Sequence, residues 1–387
     1  MNNWLIQHAQ VVTPTGVIPD GYIRIVDGVI VEVGASTPVF SEGTPLLDAR
    51  GGIVMPGIID IHTDAMDMEI VPRPGADIPV FIAFRELERK MATAGITTVF
   101  HSMHLGYEVA EKHSQSSYSR ESVFREVARA SAGPTLINNK IHLRFELGGI
   151  EAYEDCLDLL DEGSIALLSV MDHTPGQGQF GRKHFRELVM AQGKSEEQAE
   201  EELRERLLKP KIEGERLESM ISRAVDRDIP VASHDDDTLE KVDAMQGMGV
   251  SISEFPINME TAQHASAKGM HVAGGASNVL RGGSLSGNLD MTDAIRKGAV
   301  GILCSDYYPA SILHSIFKLH GSLGMPLHDA VNLATLHPAR ATRLDGYTGS
   351  LEAGRNADLL LVRLEEGVPM VTHNMVGGAL VLQTAFK

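Results

Sequence analysis

The chain reads as an α/β protein: a TIM-type (β/α)8 barrel, regular or distorted, carrying a small β-sandwich built from both termini. Three observations predict this. Eight short apolar runs alternate with helix-period segments between residues 56 and 345. Short β-prone runs crowd the two ends of the chain. Ionisable side chains stand at the C-terminal ends of most of the eight runs, where the strands of such a barrel converge.

The terminal runs cover residues 5–12, 22–26 and 29–33, with Asp27-Gly28 as a two-residue hairpin signal between the last two. The tail offers 358–362 and 379–384, the latter preceded by Gly377-Gly378. Residues 1–55 plus 346–387 are therefore expected to form the sandwich, with residues 56–345 inserted between them as the barrel. The barrel strands are expected to end at His62-Thr-Asp64, at 97–102, at Glu146, at Asp172-His173, at His234, at 251–256, at 271–278 and at Asp306. Helical periodicity falls at 82–94, 120–130, 217–226 and 291–297. Residues 174–216 break the repeat. They open with Thr174-Pro-Gly-Gln-Gly-Gln-Phe180 and continue into a charged helix with Ser195 as its N-cap. An insertion on a βα loop lies at the catalytic face, so the segment is a candidate lid, with a decorative excursion or an oligomer contact as alternatives.

With 387 residues, 43% of them hydrophobic and 22% charged, the chain can bury a large core and reads as a globular protein. No apolar run is long enough to span a bilayer, and Met1-Asn-Asn-Trp4 does not begin a signal peptide, so the cytoplasm is the expected location. Cys156 and Cys304 lie far apart and read as reduced thiols. A formal net charge of −18 disfavours nucleic acid and anionic membranes as partners. It leaves room for a small anionic substrate held by a local metal and arginines. Self-association is left open.

Strand ends bearing imidazole and carboxylate without cysteine suit a divalent ion such as zinc, with manganese or iron as alternatives. The expected ligands are His62, Asp64, Glu146, His173, His234 and Asp306, enough for two ions sharing one carboxylate. Glu146 is assigned as the bridge because a carboxylate has two oxygens to offer. Asp306 is the expected general base. Asp172, Glu254 and His104 are expected to support the ligands from behind, with Glu254 also a substitute ligand. Asp235, Asp236 and Asp237 could cap a following helix. The Gly-rich stretch 274–288 contributes Gly275, Ser277, Asn278, Arg281 and Gly282 as candidates for binding phosphate, with Arg73 and Arg182 as further cations.

Met55-Pro-Gly-Ile-Ile-Asp-Ile-His62, the late Asp306, Ala334-Thr-Leu-His-Pro-Ala-Arg340 and Gly349-Ser-Leu-Glu-Ala-Gly-Arg-Asn-Ala-Asp358 resemble the amidohydrolase superfamily along nearly the whole chain. That resemblance implies a metal-dependent barrel plus a β-sandwich made from both termini. Six shorter motifs narrow it. They are His62-Thr-Asp64, Arg144-Phe-Glu146, Met171-Asp-His-Thr-Pro-Gly-Gln-Gly-Gln-Phe180, Ser233-His-Asp-Asp236, Gly275-Ala-Ser-Asn-Val-Leu-Arg-Gly282 and Ser305-Asp-Tyr-Tyr-Pro309. These resemble the phosphonate-metabolism diphosphatases of the C–P lyase pathway. Such a likeness implies a small phosphorylated substrate, a methylphosphonate ester of ribose 5-triphosphate, cleaved to release pyrophosphate. Asp64 stands where most amidohydrolases carry a second histidine, and Asp172-His173 stands where a carboxylated lysine is usual. The alternative expectation is a C–N hydrolase: an amidase, cyclic imidase, deacetylase or deaminase.

Overall fold

The computed structural model describes residues 2–35, 44–106, 118–176, 181–283 and 289–385. The N-terminal segment supplies strands β1 (Trp4–Thr13), β2 (Gly16–Val26), β3 (Val29–Gly34), β4 (Leu46–Asp48) and β5 (Ile53–Pro56). Asp27 and Gly28 take φ of 50° and 84°, so both central positions of the β2–β3 turn are left-handed, as a type I′ hairpin requires. The barrel strands are β6 (Ile58–Thr63), β7 (Ile96–Leu105), β8 (Asn138–Glu146), β9 (Ile165–Met171), β10 (Val231–His234), β11 (Ile252–Glu254), β12 (His271–Gly275) and β13 (Ile302–Cys304). The tail adds β14 (Leu359–Glu365), β15 (Val368–Val376) and β16 (Ala379–Gln383).

Both termini enter one mostly antiparallel sheet of eight strands, ordered β16-β15-β14-β5-β1-β2-β3 with β4 beside β1. β5 is the joint: it runs parallel to β1 and antiparallel to β14, with Val54 opposite Leu361. The pairing of β1 with β2 slips between Ile6 and Ala9, where His8 has φ 53°, and such a bulge bends a strand. The sheet closes over Ile6, Val11, Ile23, Ile25, Leu359, Leu361 and Met375. β15 had no strand signal in the sequence because Pro369, His373 and Asn374 interrupt its apolar pattern.

The other eight strands pair in parallel, in sequence order from β6 to β13. Ile59, Phe100, Leu167, Ala232, Ile252, Ala273 and Ile302, one from each of seven strands, pack together with Ala339 and Ala341 of helix Leu336–Ala341. Among the described residues, an isolated parallel bridge between Thr63 and Asp306, just beyond the last strand, brings the barrel close to closure at its C-terminal mouth. The expected strand over 271–278 stops at Gly275, and a helix, Ala276–Arg281, follows. Gly275 caps its start, and Gly282 ends it with φ 78°. The helix Leu239–Gly247 is capped by Thr238, so the aspartates just before it are released for other work. Among the described residues, no helix is long and apolar enough to cross a membrane. Both cysteines are buried and free.

The segment after β9 folds as two helices, Arg182–Ala191 and Glu196–Leu208. Phe185, Val189, Ala199 and Leu203 give the pair a small core of its own. Ser195 and Gln198 form a complete capping box at the second helix. The segment returns to the barrel mouth through Lys211, 2.7 Å from Asp172, and through the Ile212 amide, which donates to the Leu147 carbonyl at 2.7 Å. Residues 177–180 of its opening loop lie outside the described residues.

Gly57 joins the two sheets, and there a Cβ would lie 2.1 Å from Thr97 Oγ1, a buried side chain on the adjacent barrel strand. Gly57→Ala is expected to destabilise the protein by about 1–3 kcal/mol. A lowered urea midpoint would show this, whereas an unchanged midpoint would mean that the close approach does not constrain the joint.

Candidate metal centre

Neighbouring strands set the first grouping. His234 and Glu254 end β10 and β11 directly opposite each other in register, and His62 comes from β6 across the barrel. Ligand atoms of His62, His234 and Glu254 lie within 4.8 Å of one another, and all three residues are buried. His62 Nδ1 is 3.3 Å from Glu254 Oε1. Yet His62 Nδ1, His234 Nδ1 and both Glu254 oxygens have no hydrogen-bond partner among the described residues. Buried polar atoms are rarely left so, because each costs the free energy of its lost hydration. A divalent ion coordinated by these atoms would remove that cost, and the donor set of two imidazoles and a carboxylate fits one.

Two further groupings share residues with the first: His62 with Asp64 and Asp306, and His234 with His173 and Asp235. The residues that follow the ends of β10, β11 and β13 turn sharply, with φ of 52° at Asp235, 54° at Phe255 and 63° at Asp306. Left-handed backbone at non-glycine positions is strained and tends to gather at functional sites. Asp306 is held on both sides, its amide donating to the His62 carbonyl at 3.0 Å and its own carbonyl accepting from the Asp64 amide at 2.6 Å. Burial, reinforced by the Asp64 charge, pushes the Asp306 carboxyl up to about 7.

Arg144, two residues before the end of β8 and 4% exposed, lies in the midst of these groups. One of its NH2 groups donates to Asp64 Oδ1 at 2.7 Å, and the other lies 3.2 Å from His234 Nε2. Burial alone would raise the Asp64 carboxyl, but the guanidinium outweighs it and holds the group well below the usual carboxylate range. Burial, with help from Arg144, pushes His62 and His104 down. Neutral imidazoles at ordinary pH are the form that ligates a metal. His104 Nε2 also stands 3.2 Å from Arg144.

Several expected residues stand elsewhere. Glu146 does not bridge: its Oε2 is 2.5 Å from His173 Nδ1 and its Oε1 accepts the His173 amide at 3.0 Å, so it orients that imidazole. Glu254 takes the central carboxylate position, since β11 stands beside β10 and ends in the same layer. Asp172 pairs with Lys211 and the Thr174 amide, one step removed from the ligand atoms. The stretch from Gly275 through Ser277 and Asn278 to Gly282 is helical rather than a phosphate-cradling loop, and Arg281 is exposed at its far end. Residues 284–288 of that stretch lie outside the described residues. Arg73 is exposed in a turn, and Arg182 is exposed at the first position of its helix.

Four residues here were not expected at the centre from the sequence. Arg144 shares a face with Glu146 by strand alternation, which could have marked it. Asp235 belongs to a ligand grouping rather than to a helix cap. Asp60 is fully buried, accepts the Ser305 amide at 3.0 Å and is pushed by burial up to about 6. His142 lies 2.9 Å from Ser169 Oγ and 3.9 Å from Glu254 Oε2, packing beneath the centre.

The barrel and the band of imidazoles and carboxylates at its mouth define a class: a (β/α)8 barrel with a candidate metal centre at its strand ends. A sequence model described as the Amidohydrolase family matches residues 53–381, and the chain belongs to that family. It is 32% identical over 379 residues to the alpha-D-ribose 1-methylphosphonate 5-triphosphate diphosphatase of Escherichia coli (strain K12), covering 95% of this chain and 97% of that one. Among solved structures, it resembles a Xaa-Pro dipeptidase with TM-score 0.68 at 14% identity, covering 98% of this chain and 99% of that one. It also resembles the N-acetyl-D-glucosamine-6-phosphate deacetylase of Mycobacterium smegmatis, with TM-score 0.65 at 18% identity over 98% and 100%. At these identities the structural likeness is one of fold. The family makes this chain an amidohydrolase-superfamily hydrolase, and the His/Asp/Glu cluster is one that could bind the metal typical of it.

The raised Asp60 and Asp306 carboxyls have a thermodynamic consequence for the metal-free protein. Each holds a proton in the folded state that the unfolded chain has released. Stability from this source is therefore complete below the ordinary carboxylate pKa and is lost as pH rises through about 6 for Asp60 and about 7 for Asp306. The buried histidines act in the opposite sense, so the difference between variants is the readout. Metal-free Asp306→Asn is expected to gain at least about 1 kcal/mol over wild type above pH 8, shrinking as pH falls below about 7 and approaching zero only near pH 4. Urea denaturation across that range checks it, and a pH-independent difference would contradict it.

Proposed function

We propose that this chain is a metal-dependent phosphoanhydride hydrolase that cleaves α-D-ribose 1-methylphosphonate 5-triphosphate and releases pyrophosphate. The observation that carries this reading is the end-to-end likeness to the Escherichia coli diphosphatase, 32% identical with 95% and 97% of the two chains covered. The arrangement of charge at the mouth agrees with it.

His62, His234 and Glu254 would hold a divalent ion, which when bound neutralises phosphoryl oxygens and lowers the pKa of an attacking water. Asp306, half-buried beside His62 and Asp64, accepts the proton that the water loses as its oxygen attacks phosphorus. The new P–O bond forms as the α–β anhydride bond breaks, and pyrophosphate leaves with the electron pair. Glu146 holds His173 in one orientation through two contacts, on the flank of the centre that borders the insertion.

That flank opens into a cleft of about 270 Å³ lined by Glu146, His173, Arg206, Lys209 and Lys211. Arg206 stacks on Phe185, 5.1 Å from the ring centroid, and its guanidinium makes no ion pair or hydrogen bond among the described residues. A pre-oriented guanidinium can fork two phosphate oxygens. The two-helix insertion thus brings positive charge to the metal-bearing face of a strongly acidic chain, and the triphosphate's distal end is placed in this cleft.

Asp306→Asn is expected to lower kcat by about 100-fold or more, read as pyrophosphate release, with metal content retained. Wild-type turnover in the variant would remove Asp306 from the reaction. Arg206→Ala is expected to raise KM for the triphosphate by about 10-fold with a smaller change in kcat. Release of ammonia or acetate from amide substrates, without pyrophosphate release from the triphosphate, would overturn the reading itself.

A further inference from the structure

Arg144 lies where a second cation of this centre would be expected to lie. Its side chain is buried among the ligand candidates and contacts them with both terminal nitrogens. One donates to Asp64 at 2.7 Å and stands 3.2 Å from His104 Nε2, while the other stands 3.2 Å from His234 Nε2. Nε stands 3.1 Å from Met171 Sδ. A guanidinium has only donors to offer, so a ring nitrogen at hydrogen-bond distance must present its lone pair to it. That lone pair cannot coordinate a metal at the same time.

The three ligand groupings are affected unequally. His62, His234 and Glu254 keep Nδ1, Nδ1 and both carboxylate oxygens free of hydrogen bonds among the described residues. His62, Asp64 and Asp306 form a grouping whose Asp64 carboxylate is already neutralised by the guanidinium. An ion placed there would face a fixed positive charge already seated 2.7 Å from its Asp64 ligand. His173, His234 and Asp235 must draw on His234, whose Nε2 faces Arg144, leaving only the Nδ1 that the first grouping uses. In that last grouping His173 Nδ1 is already bonded to Glu146.

We infer that the centre binds one divalent ion, at His62, His234 and Glu254, and that Arg144 supplies the second positive charge from within the chain. This departs from the pair of ions expected from the sequence. It rests on the metal reading of the site and not on the identity of the substrate. A cation that is part of the polypeptide cannot be removed by a chelator, so Asp64 stays neutralised and the mouth keeps its shape in the metal-free protein.

Manganese is a suitable probe because its spectrum distinguishes isolated from coupled ions. Full-length protein is freed of metal, equilibrated with several-fold excess Mn2+, desalted and assayed for metal per chain and by electron paramagnetic resonance. One ion per chain with an uncoupled signal is expected. Arg144→Met, checked for native circular dichroism, is expected to take two ions, the second more weakly in a calorimetric titration. Arg144→Lys keeps the charge and is expected to stay at one. Glu254→Gln is expected to lose the tight ion. Two exchange-coupled ions in the wild type would overturn the inference while leaving the metal reading intact, and no bound ion would overturn both. A well-folded Arg144→Met that still binds a single ion would show that Arg144 does not exclude the second. Pyrophosphate release, measured separately on the same preparations, reports on the substrate reading alone.

Discussion

Two backbone hydrogen bonds at Asp306 carry the rest of the architecture. Its amide bonds to the His62 carbonyl at 3.0 Å, and its carbonyl accepts the Asp64 amide at 2.6 Å. A parallel sheet of eight strands has two edges until its first and last strands meet, and β13 is only three residues long. The seam is therefore made just beyond the strand itself, by a residue bent into the left-handed region. The bend lets one residue serve two purposes. Its backbone brings the barrel close to closure and is fixed relative to His62 and Asp64, which keeps its carboxylate at the mouth. Precision of this kind is what a reaction centre needs from its scaffold.

Charge balance is the second constraint. The chain carries a formal net charge of −18, and its mouth gathers buried Asp235 and Glu254 with half-buried Asp64 and Asp306. Such a cluster tends to protonate or to recruit cations. Both responses are visible: Asp306 is pushed up by burial and by Asp64, and Arg144 is drawn between Asp64 and His234. The insertion adds Arg206, Lys209 and Lys211 on the outer side. Positive charge is thus brought to the face where the candidate ligands meet.

Much of this was legible in the sequence, for a physical reason. Parallel strands buried on both faces read as short apolar runs, and all eight barrel strands announced themselves in this way. The polar residues ending those runs, His62, His234 and Asp306, were conspicuous against them. What the sequence hid depends on which strand ends reach the same height. Glu146 and Glu254 both end strands, but only Glu254 lies beside His234 in register, while Glu146 is drawn toward His173. Strand alternation puts Arg144 on the face of Glu146, but it does not say that the guanidinium will reach Asp64 and His234 on other strands. The strand expected over 271–278 ended early, at Gly275, for another reason. Apolar residues run on past Gly275, yet glycines at both ends of a short stretch let it coil into a helix.

The terminal sheet has one more consequence, for synthesis on the ribosome. β5 emerges among the first sixty residues, but its antiparallel neighbour β14 is not made until some three hundred residues later. Throughout that interval the sheet edge at β5, next to the joint at Gly57, has a row of backbone amides and carbonyls with no strand to meet them. An unpaired edge beside apolar residues is adhesive. That edge is covered only once β14 has been made, and truncation just before β14 would leave it permanently open.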